Sequence, residues 1–550
     1  MHTSISIVSL ALTGLAQAAG PVPNDNQDNN IKRATQTLKV SATKPTDAFN
    51  VPADFVGIGM ESAFFNHFNN PFSANLVSSL RQRMSQPPVV RVGGTSGDRF
   101  VFDPNQKEAR KCIGLPKDGG GLDKDCHQSS DAIYSVGPSF CEGYKAFPDA
   151  RMSIQAPMQE SPTPLNNTLA FVRCAWDARG GDASKVAAIA LGNEPNFYKG
   201  TSAADYAKEA LRVQKAVIDE LKLKGEGRKI FEVANTASND DAKFGVAEVL
   251  KAGINDNKLS NSAADHYYQI SGKHDWTDKE MQELMLSHRA ITERLQTRYG
   301  NSIAQSRAAG LPFVMSETAA VLGGAPLTFM SGFGYGLWAV DFGLACMARG
   351  VSRVAHLAGR PSAGRVFWVP DASGGDRSPG PHVRAPYPAA IYLADFVGKK
   401  NRCKNTGGVH GGAVKELDLG VKDHPYLSAY AMYDTRQNGK LERVALVNLR
   451  LYNGTQTPSD KRGVETFRVP VPQGVQSVKV RRLHADRGAA AMGYDFGGRE
   501  HNVTWAGQQW SYSIDQGKGH GKVVEDEVKV QNGVAAVQVP DSEAVIVFVK

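Results

Sequence analysis

Residues 186–194 read VAAIALGNE, a nearly apolar run that ends on a carboxylate, and Pro195 then bars the chain from continuing as a strand. The same pattern recurs along the chain. Short apolar runs lie at FVGIGMES (55–62), PVVRVGGT (88–95), RMSIQAPM (151–158), IFEVANTA (230–237), ADHYYQIS (264–271), PFVMSET (312–318) and RVFWVPDA (365–372), with longer segments of helical period between them. Together with 186–194 they number eight, as a (β/α)8 TIM barrel requires. The expected fold class is therefore α/β, with a (β/α)8 barrel over residues 51–402.

Two helices between these strands are legible in detail. Ser202 with Asp205 spells a capping box, after which Tyr206, Ala210, Val213, Val217 and Leu221 share one face. Thr277 with Glu280 starts another, carrying Met281, Leu284, His288, Ile291 and Leu295; His288 is expected to meet solvent or backbone. The Gly/Pro-rich residues 371–388 read as a long loop after the eighth strand.

Beyond residue 403 the pattern changes to short β-type runs broken by turn residues, as in LERVALVNLRLYNGT and AAVQVPDSEAVIVFVK. This predicts a carboxy-terminal antiparallel β-sandwich over residues 403–550. Within the segment 20–50, TQTLKVSAT (35–43) also alternates and reads as a strand lent to that sandwich. The length of 550 residues suits two domains.

At the amino terminus, the apolar stretch from Ile5 to Leu15 and the small-residue Ala-Gln-Ala end predict a cleaved signal peptide over residues 1–19, hence a secreted, extracellular protein. The stretch falls short of the roughly 20 residues that span a bilayer, and no membrane association is expected. In that setting the six cysteines (Cys112, Cys126, Cys141, Cys174, Cys346, Cys403) suggest disulfides, among which a local clip between Cys112 and Cys126 is plausible. Sequons start at Asn166, Asn453 and Asn502. The net charge of +8 favours acidic polymers, but the basic residues are scattered and no nucleic-acid motif appears. An acidic polysaccharide is the partner this composition suits, and no nucleic acid is expected.

A (β/α)8 barrel carries its chemistry at the carboxy-terminal ends of the strands. Glu194 and Glu317 both stand there. Glycoside hydrolysis needs two carboxyl groups, one protonated to assist the leaving oxygen and one charged, with retention of configuration requiring them about 5–5.5 Å apart. Asn193, beside Glu194, is placed to hydrogen-bond a sugar 2-hydroxyl. Gly323 and Gly324 can bring bare backbone N–H groups up to an anion. No metal or organic cofactor is implied by such chemistry.

These motifs resemble family 79 of the glycoside hydrolases, which includes heparanase and fungal and bacterial β-glucuronidases. LGNEPNFY (191–198), ETAAVLGGAPL (317–327), RVGGTSGD (91–98) and DHYYQISG (265–272) carry the resemblance. It implies Glu194 as general acid/base, Glu317 as nucleophile and a retaining mechanism. It also implies sugar contacts from Glu61, Thr95, His266 and Tyr268, and recognition of a uronic carboxylate by Gly323 and Gly324. Leu322 stands where heparanase has an aromatic hydroxyl, and Phe367 and Trp368 stand near a position where the family often supplies a carboxylate-binding tyrosine. The function expected is release of β-linked glucuronic acid, with or without a 4-O-methyl group, from glycans or small glucuronides. An endo-acting heparanase-like enzyme and a catalytically silent carbohydrate-binding protein are the alternatives.

Overall fold

The computed structural model describes residues 35–116, 122–123, 131–159, 164–238, 242–359, 365–372, 380–399, 410–420, 424–454 and 462–549. Eight parallel strands close a barrel: β1 Val56–Glu61, β2 Val89–Gly93, β3 Arg151–Ala156, β4 Val186–Leu191, β5 Phe231–Ala237, β6 Ser260–Ile270, β7 Phe313–Val321 and β8 Val351–Ala358. Nearly every residue of these strands is buried, because helices cover the outside while side chains fill the interior.

Seven strands lie where the apolar runs predict them, and the eighth does not. The expected strand at 365–372 is a short crossing instead. Only Trp368–Val369 pairs, antiparallel to His382–Val383, within what reads from sequence as one long loop. The true β8 sits between β7 and β1. Its apolar run is broken by Arg353, which reaches Asp54 at 3.1 Å, and by His356, which is fully buried. The richer apolar content of 365–369 serves packing over the barrel, with Trp368 against Phe68 and Phe367 against Tyr335.

The helix Ala203–Leu221 begins with the Ser202–Asp205 capping box and buries the predicted face. The helix after Thr277 is capped as expected but is not continuous. It passes through π turns at Met281–Met285 and Leu295–Tyr299, with a new start at His288–Arg294. His288 corrects the expectation of a solvent or backbone partner. It is buried, with Nδ1 2.9 Å from Asp341 and Nε2 3.0 Å from Glu416.

The carboxy-terminal strands form an antiparallel sheet domain whose two ends fold over a shared core that includes Phe467, Val537, Leu446 and Val545. Residues from the amino-terminal side join its edges. Gln36–Thr37 runs parallel to Val464–Pro470, and Phe49–Pro52 pairs antiparallel with His410–Glu416. The helix Phe333–Ala348 is buried on all sides because it packs on β7 and β8 and also on strands of the sheet domain. Its Asp341 carries the contact to His288 and a hydrogen bond from Ser428, so charge pairing as well as apolar packing joins the two domains.

A disulfide, Cys141–Cys174, ties Pro138–Glu142 to the helix Pro164–Ala178, and Cys346 is free and buried. Cys126, Cys403 and the expected signal segment lie outside the described residues.

Candidate active site

Glu317 lies within β7, and its carboxylate is held from two sides at the mouth of the barrel. Arg91, from the middle of β2, donates from Nη1 to its Oε2 at 2.9 Å, and the Tyr268 hydroxyl on β6 donates to its Oε1. The side chain is only 9% exposed. Burial pushes the carboxyl pKa up, but the charges of His266 and Arg91 and the hydrogen bonds from Tyr268 and Arg91 outweigh it and hold the group at about 2. Glu317 is therefore a fixed carboxylate at any physiological pH.

Glu194 follows β4 and is built differently. Its side chain is 24% exposed and is held by the His266 ring, with Nδ1 3.0 Å from Oε1. Its backbone is left-handed, φ 48°, as are Ala234 (73°) and Asn235 (47°) in β5. Non-glycine residues pay about 1–2 kcal/mol for that conformation, and such strain collects at functional sites. Here it has a visible result. The Glu194 N–H donates to the Asn235 carbonyl at 2.8 Å, while the Asn235 Oδ1 accepts from the hydroxyl of Ser316, the residue before Glu317, at 2.9 Å. One residue on β5 thus holds both glutamate-bearing segments.

The remaining predicted residues fall around this pair with different partners. Asn193 is buried; its Oδ1 accepts from Arg91 Nη2 at 2.6 Å, its backbone N–H donates to Asp98 Oδ2 at 2.8 Å, and its Nδ2 remains available to a ligand among the described residues. Glu61 closes β1 and accepts from the backbone N–H and hydroxyl of Ser96. Burial first, and then the Glu317 charge, push its carboxyl up to about 8, so it adds no second negative charge at neutral pH. Tyr268 packs its ring against Leu322, Ala319 and Leu357 while its hydroxyl holds Glu317. His266 is buried beneath the mouth of the barrel, where its Nδ1 holds Glu194 while its Nε2 has no hydrogen-bond partner among the described residues. Thr95 is half-buried on the turn after β2, where its neighbours Ser96 and Asp98 make the contacts. Gly323 and Gly324 are exposed directly after β7, with open space where side chains would stand; only Gly323, at φ 88°, needs glycine for its backbone.

Arg91, Asp98, Tyr198 and Asn235 are absent from the sequence-based set. A signal for Arg91 existed, since a cation inside the apolar run VVRVGG is buried and must find a carboxylate. Asp98 accepts from the Tyr198 hydroxyl, the Asn193 N–H and Gln155, and so anchors the turn that carries Glu194. Among the described residues no group of His, Cys, Asp and Glu is placed to hold a metal, and no helix is long and apolar enough to cross a membrane.

Comparison with known proteins fits this geometry. Residues 429–546 match the glycosyl hydrolase family 79 C-terminal beta domain. The chain is 26% identical to a β-glucuronidase of Aspergillus niger, covering 99% of each, and 27% identical to one of Neurospora crassa, covering 82% of each. Its fold is that of a solved 4-O-α-L-rhamnosyl-β-D-glucuronidase from Fusarium oxysporum, at 20% identity and a TM-score of 0.73, covering 93% of this chain and 100% of that one. A GH51 arabinofuranosidase from Xanthomonas axonopodis pv. citri shares the fold at 13% identity and a TM-score of 0.59, covering 94% and 99%. The chain is a glycoside hydrolase. Its resemblance to family 79 of that class is borne out by the matched carboxy-terminal domain and the end-to-end similarity to β-glucuronidases.

Proposed function

We propose that this chain is a retaining, exo-acting β-glucuronidase that releases glucuronic acid, or its 4-O-methyl derivative, from glycans or small glucuronides. The observation that carries the reading is the unequal treatment of the two glutamates. Glu317 is clamped as an anion by Arg91 and Tyr268, as a nucleophile must be, whereas Glu194 is partly open and touches a titratable partner, His266, as a proton donor and acceptor must be. The curated relatives named above carry the substrate class.

In this scheme Glu317 attacks the anomeric carbon while Glu194 gives its proton to the glycosidic oxygen, and the aglycone leaves. A covalent glycosyl ester on Glu317 remains. Glu194, now a base, takes a proton from water, whose oxygen attacks the same carbon and expels the Glu317 carboxylate. Asn193, with its Nδ2 amide available, donates to the sugar 2-hydroxyl, where hydrogen bonding strengthens in the transition state. The protein acts outside the cell, in line with its amino-terminal sequence.

The test is a panel of aryl β-glycosides: glucuronide, 4-O-methylglucuronide, glucoside and galacturonide. Turnover of the glucuronides with β-configured first product by NMR, abolished in Glu317→Ala, is the expected result. Turnover that survives Glu317→Ala overturns the assignment. Internal cleavage of a long acidic polysaccharide replaces exo with endo action, and binding without turnover across the panel identifies a silent lectin.

A further inference from the structure

The turn that follows Glu194 is fastened on both sides of one aromatic residue. Pro195 and Asn196 are buried. The Asn196 side chain reaches the end of β5 and the loop beyond it, donating from Nδ2 to the carbonyls of Ala237 at 2.6 Å and Phe244 at 2.9 Å and accepting from the Ala237 N–H at 3.1 Å. Tyr198 donates its hydroxyl to Asp98 and its N–H to the Pro195 carbonyl at 3.1 Å, while its own carbonyl accepts from Lys243 at 2.8 Å. Phe197 stands between these anchors, and its side chain takes part in none of them. It is 38% exposed, belongs to no apolar cluster and stacks on no other ring among the described residues.

An exposed ring on a loose loop needs no explanation, since it can settle against the surface. Here the backbone on either side is fixed, so the ring is held partly in water at the rim of the site. The Phe197 N–H donates to the Glu194 carbonyl at 2.9 Å and closes a tight turn, and such a turn brings its first and fourth Cα atoms within about 7 Å of each other. The Glu194 carboxyl is itself 24% exposed. In cleavage it serves the glycosidic oxygen, so that oxygen comes within hydrogen-bond distance of the carboxyl and the leaving group begins there. The ring attached to that oxygen therefore lies beside the turn, within the reach of a phenylalanine side chain. The face of a phenyl ring is negative and its edge positive, which draws the C–H face of a sugar, or an offset aryl ring, onto it.

We propose that Phe197 is the aglycone platform of this enzyme: it stacks on the ring that adjoins the cleaved bond, on the leaving-group side, and makes the site favour ring-bearing aglycones over small ones. The assignment rests on Glu194 as the proton donor in the reading above, and not on the identity of the sugar that is released. Because the contact is made only to the leaving group, it acts on the step in which the aglycone departs and has nothing to hold when the leaving group carries no ring.

The experiment compares wild type, Phe197→Ala and Phe197→Tyr on 4-nitrophenyl β-glucuronide and on β-glucuronyl fluoride, which shares the sugar but has no aglycone ring. Phe197→Ala is expected to lose about tenfold in kcat/KM on the aryl glucuronide and to stay within about twofold of wild type on the fluoride. Phe197→Tyr keeps the ring and should stay within about twofold on both. The side chain makes no packing contact to lose, so Tm should be the same in all three proteins. Equal losses on the two substrates, or an unchanged rate on the aryl glucuronide, overturn the proposal, as does a loss in Phe197→Ala that Phe197→Tyr fails to restore. If the wild type cleaves aryl β-glucosides and leaves the glucuronides intact, the glucuronidase reading fails. The same comparison on 4-nitrophenyl β-glucoside and β-glucosyl fluoride then decides the role of Phe197 by the same criteria.

Discussion

Arg91 on β2 and Glu317 on β7 form an ion pair of 2.9 Å across the barrel mouth, with both side chains almost closed to water. The second arm of the same guanidinium holds Asn193, next to Glu194. A single cation thus fixes the charge of one glutamate and the position of the segment that carries the other. Arg91→Met leaves a buried carboxylate without its counter-charge, held only by the Tyr268 hydroxyl, which costs about 3–5 kcal/mol, and is expected to lower kcat by about 100- to 1,000-fold. Arg91→Lys keeps the charge but cannot reach both partners, so it should recover part of that loss. Steady-state kinetics of the two variants check this; equal kcat in Arg91→Lys and wild type would show that the fork to Asn193 is dispensable.

Tyr268→Phe removes one hydrogen bond from Glu317 and one of the forces that hold its pKa near 2. The nucleophile must be ionised, so activity is retained above its pKa and lost as pH falls through it. Removing the hydroxyl raises that pKa, and the acid limb of kcat/KM should therefore move to higher pH, with kcat reduced about tenfold or more. A pH profile that keeps the wild-type acid limb would falsify the role given to Tyr268.

Asn235 is left-handed, and asparagine tolerates that backbone better than most residues. Asn235→Ala should lose about 1–2 kcal/mol of stability from backbone strain and the hydrogen bond to Ser316. Asn235→Gly relieves the strain but not the lost hydrogen bond. Tm should therefore recover in the glycine variant while kcat stays below wild type, because Ser316 precedes the nucleophile. Full recovery of both in Asn235→Gly would mean that the side chain has no positioning role.

The barrel and the sheet domain are joined by His288, which lies between Asp341 and Glu416, with Arg349 completing the group through Glu416. Burial pushes the His288 pKa down, but Asp341 and Glu416 outweigh it and raise it to about 10. The stabilisation is therefore complete below the unfolded histidine pKa and is lost as pH rises through about 10. Glu416, lowered to about 2 by His288 and Arg349 against its burial, contributes above the unfolded carboxylate pKa and is lost as pH falls through about 2. His288→Ala should cost about 3–5 kcal/mol and flatten the alkaline decline in Tm. Differential scanning calorimetry from neutral to alkaline pH on both proteins tests it, and parallel curves would count against the pairing.

The amino-acid order carries much of the barrel because its strands are buried on both faces and read as apolar runs, and because a carboxylate that ends such a run has no place in a core. The run 365–372 mimics a strand for a different reason: Phe367 and Trp368 are apolar to pack over the barrel, not to pair within it. β8 is disguised by Arg353 and His356, whose burial the barrel tolerates through Asp54 and through neutrality. Positive φ at Glu194, Ala234 and Asn235 leaves no trace in composition, since none is a glycine.

What the sequence determined by itself was the location of Glu194, Glu317, Asn193 and the glycine pair at strand ends, through the period of the apolar runs and the residues that stop them. What only the tertiary structure decided was how those groups are charged and held. Arg91 reaches across from β2, Glu61 is forced toward neutrality by burial beside Glu317, His266 turns to Glu194, and Asn235 joins the two glutamate segments. The physical reason is that a pKa or a hydrogen bond depends on distance and dielectric between residues far apart in the chain, and only closure of the barrel brings β2, β5, β6 and β7 within reach of one another.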